Sequence, residues 1–257
     1  MKNRYLYFII LPFLLVSCSG SDDGSTNNNF ESSNDSEEVV EEETVEEEVE
    51  EEVNDNEVII GGETWTMLNK DVFSTTVTTE GVTLDLEQNA LWYQGNQGGL
   101  LYKSFTGNFT LSAKVMVRRK SDSALAPNCD VCLGGLMARN PNNTDGENYV
   151  HLVSGNTPEE VNDGTDELGV EHKSTTNSVS PYDAIPDGLS DHELRIVRDG
   201  SEFSLYSKNI DATEWNLIIT HTRADLPTTL QVGLNIYTTL GGETADLRVI
   251  YENIVLE

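Results

Sequence analysis

Basic residues are scarce in this chain. Its 257 residues include 15 Lys and Arg against 45 Asp and Glu, which gives a formal net charge of −30 at pH 7. Binding to nucleic acids depends on clustered Lys and Arg side chains that neutralise phosphates. The composition therefore argues against a nucleic-acid-binding protein and against docking on anionic lipid headgroups.

Long hydrophobic runs are also missing. The longest apolar stretch, Tyr5 to Val16, is shorter than the ~20 residues that a membrane-spanning helix needs. It follows Lys2 and Arg4 and ends at Ser17, the pattern of a secretory signal peptide. Its end, residues 15–18 (Leu-Val-Ser-Cys), resembles the lipobox of bacterial lipoproteins, which implies cleavage after residue 17 and lipidation of Cys18. An ordinary signal peptide that contains a cysteine is the alternative.

The residues after Cys18 bear on localisation. Ser19 resembles the residue that directs lipoproteins to the bacterial outer membrane, and the pair Asp22-Asp23 resembles the signal for surface display in Bacteroidetes-type bacteria. We therefore expect an outer-membrane lipoprotein exposed on the cell surface, with a periplasm-facing protein as the alternative.

Residues 18–57 are poor in core-forming side chains. Positions 19–57 hold 17 Asp and Glu and no Lys or Arg, and Phe30 is the one bulky apolar residue. High net charge with low hydrophobicity is typical of disorder. We interpret residues 18–57 as a disordered acidic tether, with a cation-binding or partner-docking tract as the alternative.

From residue 58 onward, helix-period patterns are absent and alternation predominates. Residues 109–117 alternate apolar and polar side chains, as do 194–197 and 230–236, which is typical of half-buried strands. Asp199-Gly200 between two such runs predicts a tight hairpin. Residues 58–257 are thus predicted to form one all-β domain, a two-sheet antiparallel jelly-roll sandwich.

Several segments carry a family resemblance in their order and spacing. They are residues 107–111 (GNFTL), 135–139 (GLMAR), 149–153 (YVHLV), 194–200 (LRIVRDG), 203–206 (FSLY), 214–215 (EW), 232–234 (VGL) and 252–254 (ENI). Together they resemble the concanavalin A-like lectin/glucanase superfamily, in its bacterial surface-module branch. The resemblance covers roughly residues 62–257 and implies a jelly roll whose concave face commonly binds glycans.

Strand alternation allows a candidate binding face to be predicted. If Val150, Leu152 and their equivalents point into the core, a set of polar and aromatic residues shares the opposite face. That set is Arg139, Tyr149, His151, Glu171, Lys173, Gln231, Asn235 and Tyr237. Aromatic rings, carboxylates, amides and Arg suit sugar recognition. The alternative is a solvated polar sheet face. Trp92-Tyr93 either adds a ring or belongs to the core.

An enzymatic reading rests on Glu167 and Glu171. Laminarinase-type members of the superfamily place two catalytic glutamates at this spacing with an aspartate midway, where this chain has Gly169. The flanking residues do not match that motif either. We therefore expect no catalytic residue, and keep a polysaccharide hydrolase or lyase as the alternative.

Cysteines are few, and two of the three form a Cys129-x-x-Cys132 pair. A zinc site would need two further ligands, and a redox motif would need a thioredoxin-like βαβ unit. Because export is expected, we predict a small disulfide, with free thiols as the alternative.

The acidic loop with Asp163, Asp166 and Glu167 offers oxygen ligands for a structural Ca²⁺, or is simply a charged hairpin loop. No other cofactor is expected. His192 and His221 match no nucleophile motif and are assigned structural or surface roles.

The leading hypothesis is a surface lipoprotein whose β-sandwich is a non-catalytic, carbohydrate-binding module. Its predicted partners are an oligo- or polysaccharide and, through the lipid anchor, the membrane. A protein-binding structural module of the cell surface is a further alternative.

Overall fold

The computed structural model describes residues 55–158 and 167–257. The chain divides into two compact units, Met1–Glu51 and Glu52–Glu257, and the first lies outside the described residues. The predicted signal peptide, Cys18 and nearly all of the acidic tether therefore fall outside them too. Among the residues described, no helix is long and apolar enough to cross a membrane.

Fifteen strands, β1 to β15 in chain order, are described. Eight of them form one antiparallel sheet. In spatial order these are β1 (Glu57–Ile60), β2 (Glu63–Leu68), β5 (Gly99–Thr106), β14 (Thr229–Tyr237), β7 (Cys132–Arg139), β8 (Tyr149–Thr157), β9 (Glu167–Thr175) and β10 (Tyr182–Pro186).

The other seven strands form a second antiparallel sheet. Its order is β13 (Asn216–Thr222), β12 (Glu202–Asn209), β11 (Asp191–Asp199), β6 (Phe109–Arg118), β15 (Arg248–Leu256), β4 (Gly81–Leu86) and β3 (Phe73–Val77). The helical content of the described residues is a single 3₁₀ turn, Lys70–Val72.

The main core lies between the two sheets. Alternate residues of each strand point into it, so that Leu111, Val115 and Ile196 of the second sheet share one apolar cluster with Leu136 and Leu234 of the first. Strand β6 shows this most plainly, because buried and half-buried residues alternate along all ten positions. Burial of one face of each sheet fixes the register, since a slip of one residue would turn the apolar set outward.

The all-β fold predicted from the sequence is confirmed. The alternating runs form strands β6, β11 and β14, and a tight turn that starts at Asp199-Gly200 connects β11 to β12. Gly200 has φ +59°, a backbone conformation that glycine adopts without the steric penalty of a side chain.

Candidate functional site

The outer face of the eight-stranded sheet, turned away from the seven-stranded sheet, brings the predicted binding residues together. Cross-strand pairs place Arg139 beside Gln231 and Tyr149, and His151 beside Lys173. The remaining members, Glu171, Asn235 and Tyr237, occupy positions of the same parity on β9 and β14. Strand alternation thus identifies one continuous face from the sequence alone.

This face is not open to solvent. All eight predicted residues are at most 8% exposed, and five of them, Tyr149, His151, Glu171, Asn235 and Tyr237, have no measurable exposure. The segment between β4 and β5, residues 87–98, lies across the face, and we call it the strap. Its Trp92 packs on Leu100, Leu133, Met137 and other residues of the sheet as a second apolar cluster.

The strap is held along its whole length. The Asn89 amide donates to the carbonyls of Gly241 and Glu243, at 2.7 and 2.8 Å. The Thr238 amide donates to the carbonyl of Ala90, and the backbone N–H of Gln94 donates to Ser180 Oγ, both at 2.8 Å. These bonds come from distant parts of the chain.

Charged side chains of β9 and of the loop before β8 also hold the strap. Lys173 Nζ donates to the carbonyl of Trp92 at 2.8 Å, and Gln97 Nε2 donates to Glu147 Oε1 at 2.5 Å. Glu147 in turn accepts two hydrogen bonds from Arg139, at 2.7 and 2.8 Å. Sequence reasoning missed Glu147 because it lies outside any strand pattern.

Glu171 is the centre of a buried charged cluster. One oxygen, Oε1, accepts from Tyr237 Oη at 2.7 Å and lies 3.2 Å from both His151 Nε2 and Lys173 Nζ. The other oxygen, Oε2, has no hydrogen-bond partner among the residues that the structure describes. Asn235 is likewise buried, with neither amide atom paired within the described chain.

The cluster shifts the pKa values of its members. Burial alone would raise the pKa of Glu171, but the Lys173 charge and the hydrogen bonds from His151 and Tyr237 lower it to about 2. Burial, with the Lys173 charge added, lowers the pKa of His151 to about 4. At neutral pH Glu171 is therefore ionised and His151 is neutral.

A pocket borders this cluster. It has a volume of about 330 Å³ and is lined by Leu91, Tyr93, Val131, Pro158, Glu171, Lys173, Tyr182 and Thr239. The rings of Tyr93 and Tyr182 meet edge to face at 5.8 Å, and each lies within 5.5 Å of Lys173 Nζ. Of the predicted binding residues, Glu171 and Lys173 line the pocket, while Trp92 belongs to the covered cluster and Tyr93 to the pocket.

Similar folds exist among solved structures. A functionally unknown protein from Saccharomyces cerevisiae matches with a TM-score of 0.60 and 16% identity, over 75% of this chain and 95% of that one. A weaker match is the carbohydrate binding module CBM66 from Bacillus subtilis, with a TM-score of 0.43 and 16% identity over 75% of this chain and 94% of that one. Another is the Ca²⁺/Man3GlcNAc-bound exoplasmic/lumenal domain of VIP36, with a TM-score of 0.46 and 15% identity over 77% of this chain and 86% of that one.

The yeast protein shows that this fold is shared. No protein-family model matches the chain, and no curated protein matches it in sequence. At this level of identity the similarity describes the fold and leaves the function to be argued from the site.

Cys129 and Cys132 are joined by a disulfide, as the sequence predicts. The bonded pair brackets Val131, which has φ +49° and lines the pocket. A β-branched residue rarely adopts this left-handed conformation, so the surrounding structure must hold it there.

The predicted calcium ligands are only partly described. Asp163 and Asp166 lie outside the described residues, and Glu167 is an exposed residue at the start of β9. Within the described parts of the chain, no group of three or more His, Cys, Asp or Glu side chains is arranged to hold a metal ion. The calcium site stays a prediction.

His192 has two hydrogen-bond partners that no sequence motif predicted. Its Nδ1 lies 2.8 Å from Ser154 Oγ, and its Nε2 lies 2.9 Å from Asp187 Oδ2. Ser154 and His192 are buried between the sheets, which leaves no room for a substrate beside the hydroxyl. The three side chains therefore link β8, β11 and the preceding loop, and the structural role expected for His192 agrees with this position.

Proposed function

We propose that the β-sandwich binds carbohydrate, with a sugar residue held in the pocket between the strap and β9. The observation that carries this proposal concerns Glu171, a residue that lines the pocket and whose buried Oε2 atom has no hydrogen-bond partner among the described residues. A buried polar atom without a partner is costly, and a ligand hydroxyl would satisfy it.

The chemistry of the pocket suits a neutral polyol. Glu171 supplies an acceptor and Lys173 a donor, and their charges cancel. Hydrogen bonds to ionised groups are roughly twice as strong as neutral ones. Leu91, Val131 and the ring of Tyr93 offer apolar surface beside these polar groups. Small-molecule sites combine such apolar walls with a few placed polar groups.

The pKa of Glu171 favours binding over hydrolysis. A carboxylate whose pKa is held at about 2 stays ionised and accepts hydrogen bonds, whereas the general acid of a glycosidase needs a raised pKa. Glu167, the other glutamate of the enzymatic reading, is exposed at the start of β9.

The test is affinity electrophoresis and calorimetry of the purified protein against neutral polysaccharides and their partial hydrolysates, with and without calcium. We expect Tyr93→Ala and Glu171→Gln each to weaken binding at least about tenfold, the equivalent of ~1.4 kcal/mol. Tyr206→Ala is the matched control, because Tyr206 is a half-buried tyrosine on the seven-stranded sheet. Silence across the whole panel, or an equal loss in the control, would contradict the proposal.

We also propose that the chain is lipidated at Cys18 and carried on the bacterial outer membrane, with its domain displayed at the cell surface. The lipobox-like residues 15–18 support this. Metabolic labelling with a radioactive fatty acid should mark the wild-type chain and not a Cys18→Ala variant, and protease treatment of intact cells should remove the domain. Label on Cys18→Ala would contradict lipidation at this residue.

A further inference from the structure

We infer that the pocket receives the end of a glycan chain and excludes internal segments of a polysaccharide. This inference rests on the proposed function and specifies its substrate class. It follows from the position of the strap, which covers the outer face over β8, β7 and β14 and leaves a pocket beside β9.

The covered part would be the path of a glycan lying across the sheet. Such a chain would pass from β9 over β8, β7 and β14, where the face carries Tyr149, His151, Arg139 and Gln231. These side chains are at most 8% exposed, and Trp92 of the strap packs on Tyr149 among them. Trp92 contacts the ring of Tyr149 edge to face at 5.5 Å, and the Arg139 guanidinium lies 5.9 Å from the Trp92 ring. A chain that enters over β9 therefore meets a wall at β8.

The wall is fixed to the rest of the domain. The strap is hydrogen-bonded near its start through Asn89, in its middle through the carbonyl of Trp92, and near its end through Gln97. The last two bonds join it to Lys173 and Glu147, which are themselves buried and ionically paired. A ligand that threaded beneath the strap would have to break these bonds together, so the pocket ends there.

The size of the pocket agrees with this division. Its volume of about 330 Å³ lies at the low end of the ~300–1,000 Å³ usual for small-molecule sites. One or two sugar residues at a chain end fill such a space. A groove that runs across several strands would gain affinity with each further sugar residue, and the described face offers no such continuation.

Chain ends can be counted directly. Laminarin, xylan, mannan, levan and amylose are compared intact and after partial acid hydrolysis to about one-tenth of their mean chain length, with chain ends quantified chemically. For the glycan that binds, we expect the binding sites per gram to rise about tenfold on hydrolysis, in proportion to chain ends, while Kd changes less than twofold. Borohydride reduction then assigns the end: loss of binding indicates the reducing end, and unchanged binding the non-reducing end.

Tyr93→Ala and Tyr206→Ala are measured in the same series. Tyr93→Ala should raise the Kd for every preparation, and Tyr206→Ala should leave both the Kd and the number of binding sites per gram unchanged. If the number of binding sites per gram stays constant on hydrolysis and the Kd rises tenfold or more for short chains, the protein binds internal segments and the inference is overturned. Binding to no preparation of any glycan would instead overturn the proposed function itself.

Discussion

The outer faces of the two sheets present charged pairs in opposite environments. On the seven-stranded sheet, Lys114 and Glu252 form an ion pair at 2.8 Å with about a quarter of each side chain exposed. On the eight-stranded sheet, Lys173 and Glu171 pair at 3.2 Å with at most 3% exposed. Both sheets place polar residues on the face opposite the core, so the strap makes the difference.

The comparison separates two roles for charge. Exposed pairs are screened by water and contribute little to stability, whereas buried pairs lose hydration that their mutual attraction must offset. A carboxylate and an ammonium kept beneath a cover, next to a pocket, hold fixed positions and cannot relax into solvent. Such fixed groups suit the recognition of a ligand's hydroxyls.

The largest expected change in stability comes from removing the lysine of the buried pair, compared with removing the lysine of the exposed pair. Lys173→Met leaves the Glu171 carboxylate buried without its cation, and we expect a loss of about 3–5 kcal/mol in the free energy of unfolding. Lys114→Met, the matched change on the other sheet, should cost less than about 1 kcal/mol. Urea denaturation of both variants measures the difference, and equal losses would show that the strap does not isolate its charges.

The pH dependence of stability should be traceable to the same cluster. Burial lowers the pKa of His151 from 6.5 to about 4, so the unfolded chain binds its proton first and stability is lost as the pH falls from 6.5 through 4. At pH 4 this protonation lowers the free energy of unfolding by about 3 kcal/mol relative to neutral pH. Partly exposed His221, whose pKa burial also lowers to about 4, adds a smaller term in the same window.

A separate loss follows at lower pH. Glu171 contributes stability that is present above pH 4.5 and lost as the pH falls through about 2, because its folded pKa is depressed.

The His151 contribution is measured above that range. The unfolding free energy at pH 7, 5.5 and 4 should decline less steeply for His151→Gln than for the wild type. Parallel curves would mean that His151 is accessible to protons in the folded state.

The smallest effect concerns hydroxyl pairs. Ser154→Ala removes the partner of buried His192 Nδ1, and we expect a loss of about 1–3 kcal/mol. Ser204→Ala removes an exposed bond to Thr220 of 2.9 Å, and it should change stability by less than about 0.5 kcal/mol. Thermal or urea unfolding compares the two, and a loss at Ser204 as large as that at Ser154 would contradict the assigned burial.

The sheets were predictable because their signal is local. Alternation along residues 109–117 and 230–236 specifies strand, face and core together, so the shared face of Arg139, His151 and Gln231 follows from parity alone. The strap has no such period. Its anchors depend on contacts such as Asn89 to Gly241, 152 residues apart, and a single sequence carries no record of that pairing. The cover, and hence the burial of the predicted face, could not be foreseen.

The same limit applies to the partners of His192. Ser154 lies 38 residues before it on a strand of the opposite sheet, so no spacing rule connects them. Glu147 is comparable, because its partners Arg139 and Gln97 converge from a strand and the strap. Side chains that join separate elements are where sequence reasoning ends in this molecule.

The disulfide between Cys129 and Cys132 makes the conformation of Val131, and with it the pocket wall, depend on the redox state of the surroundings. Backbone pairing joins the strands of both sheets without the Cys129–Cys132 bond, although Cys132 lies in β7 and Cys129 packs against the core. With this bond reduced, Val131 would lose the covalent loop that holds it in a left-handed conformation on the pocket wall. The oxidation state of this cysteine pair would therefore affect the pocket wall more than the pairing of the strands.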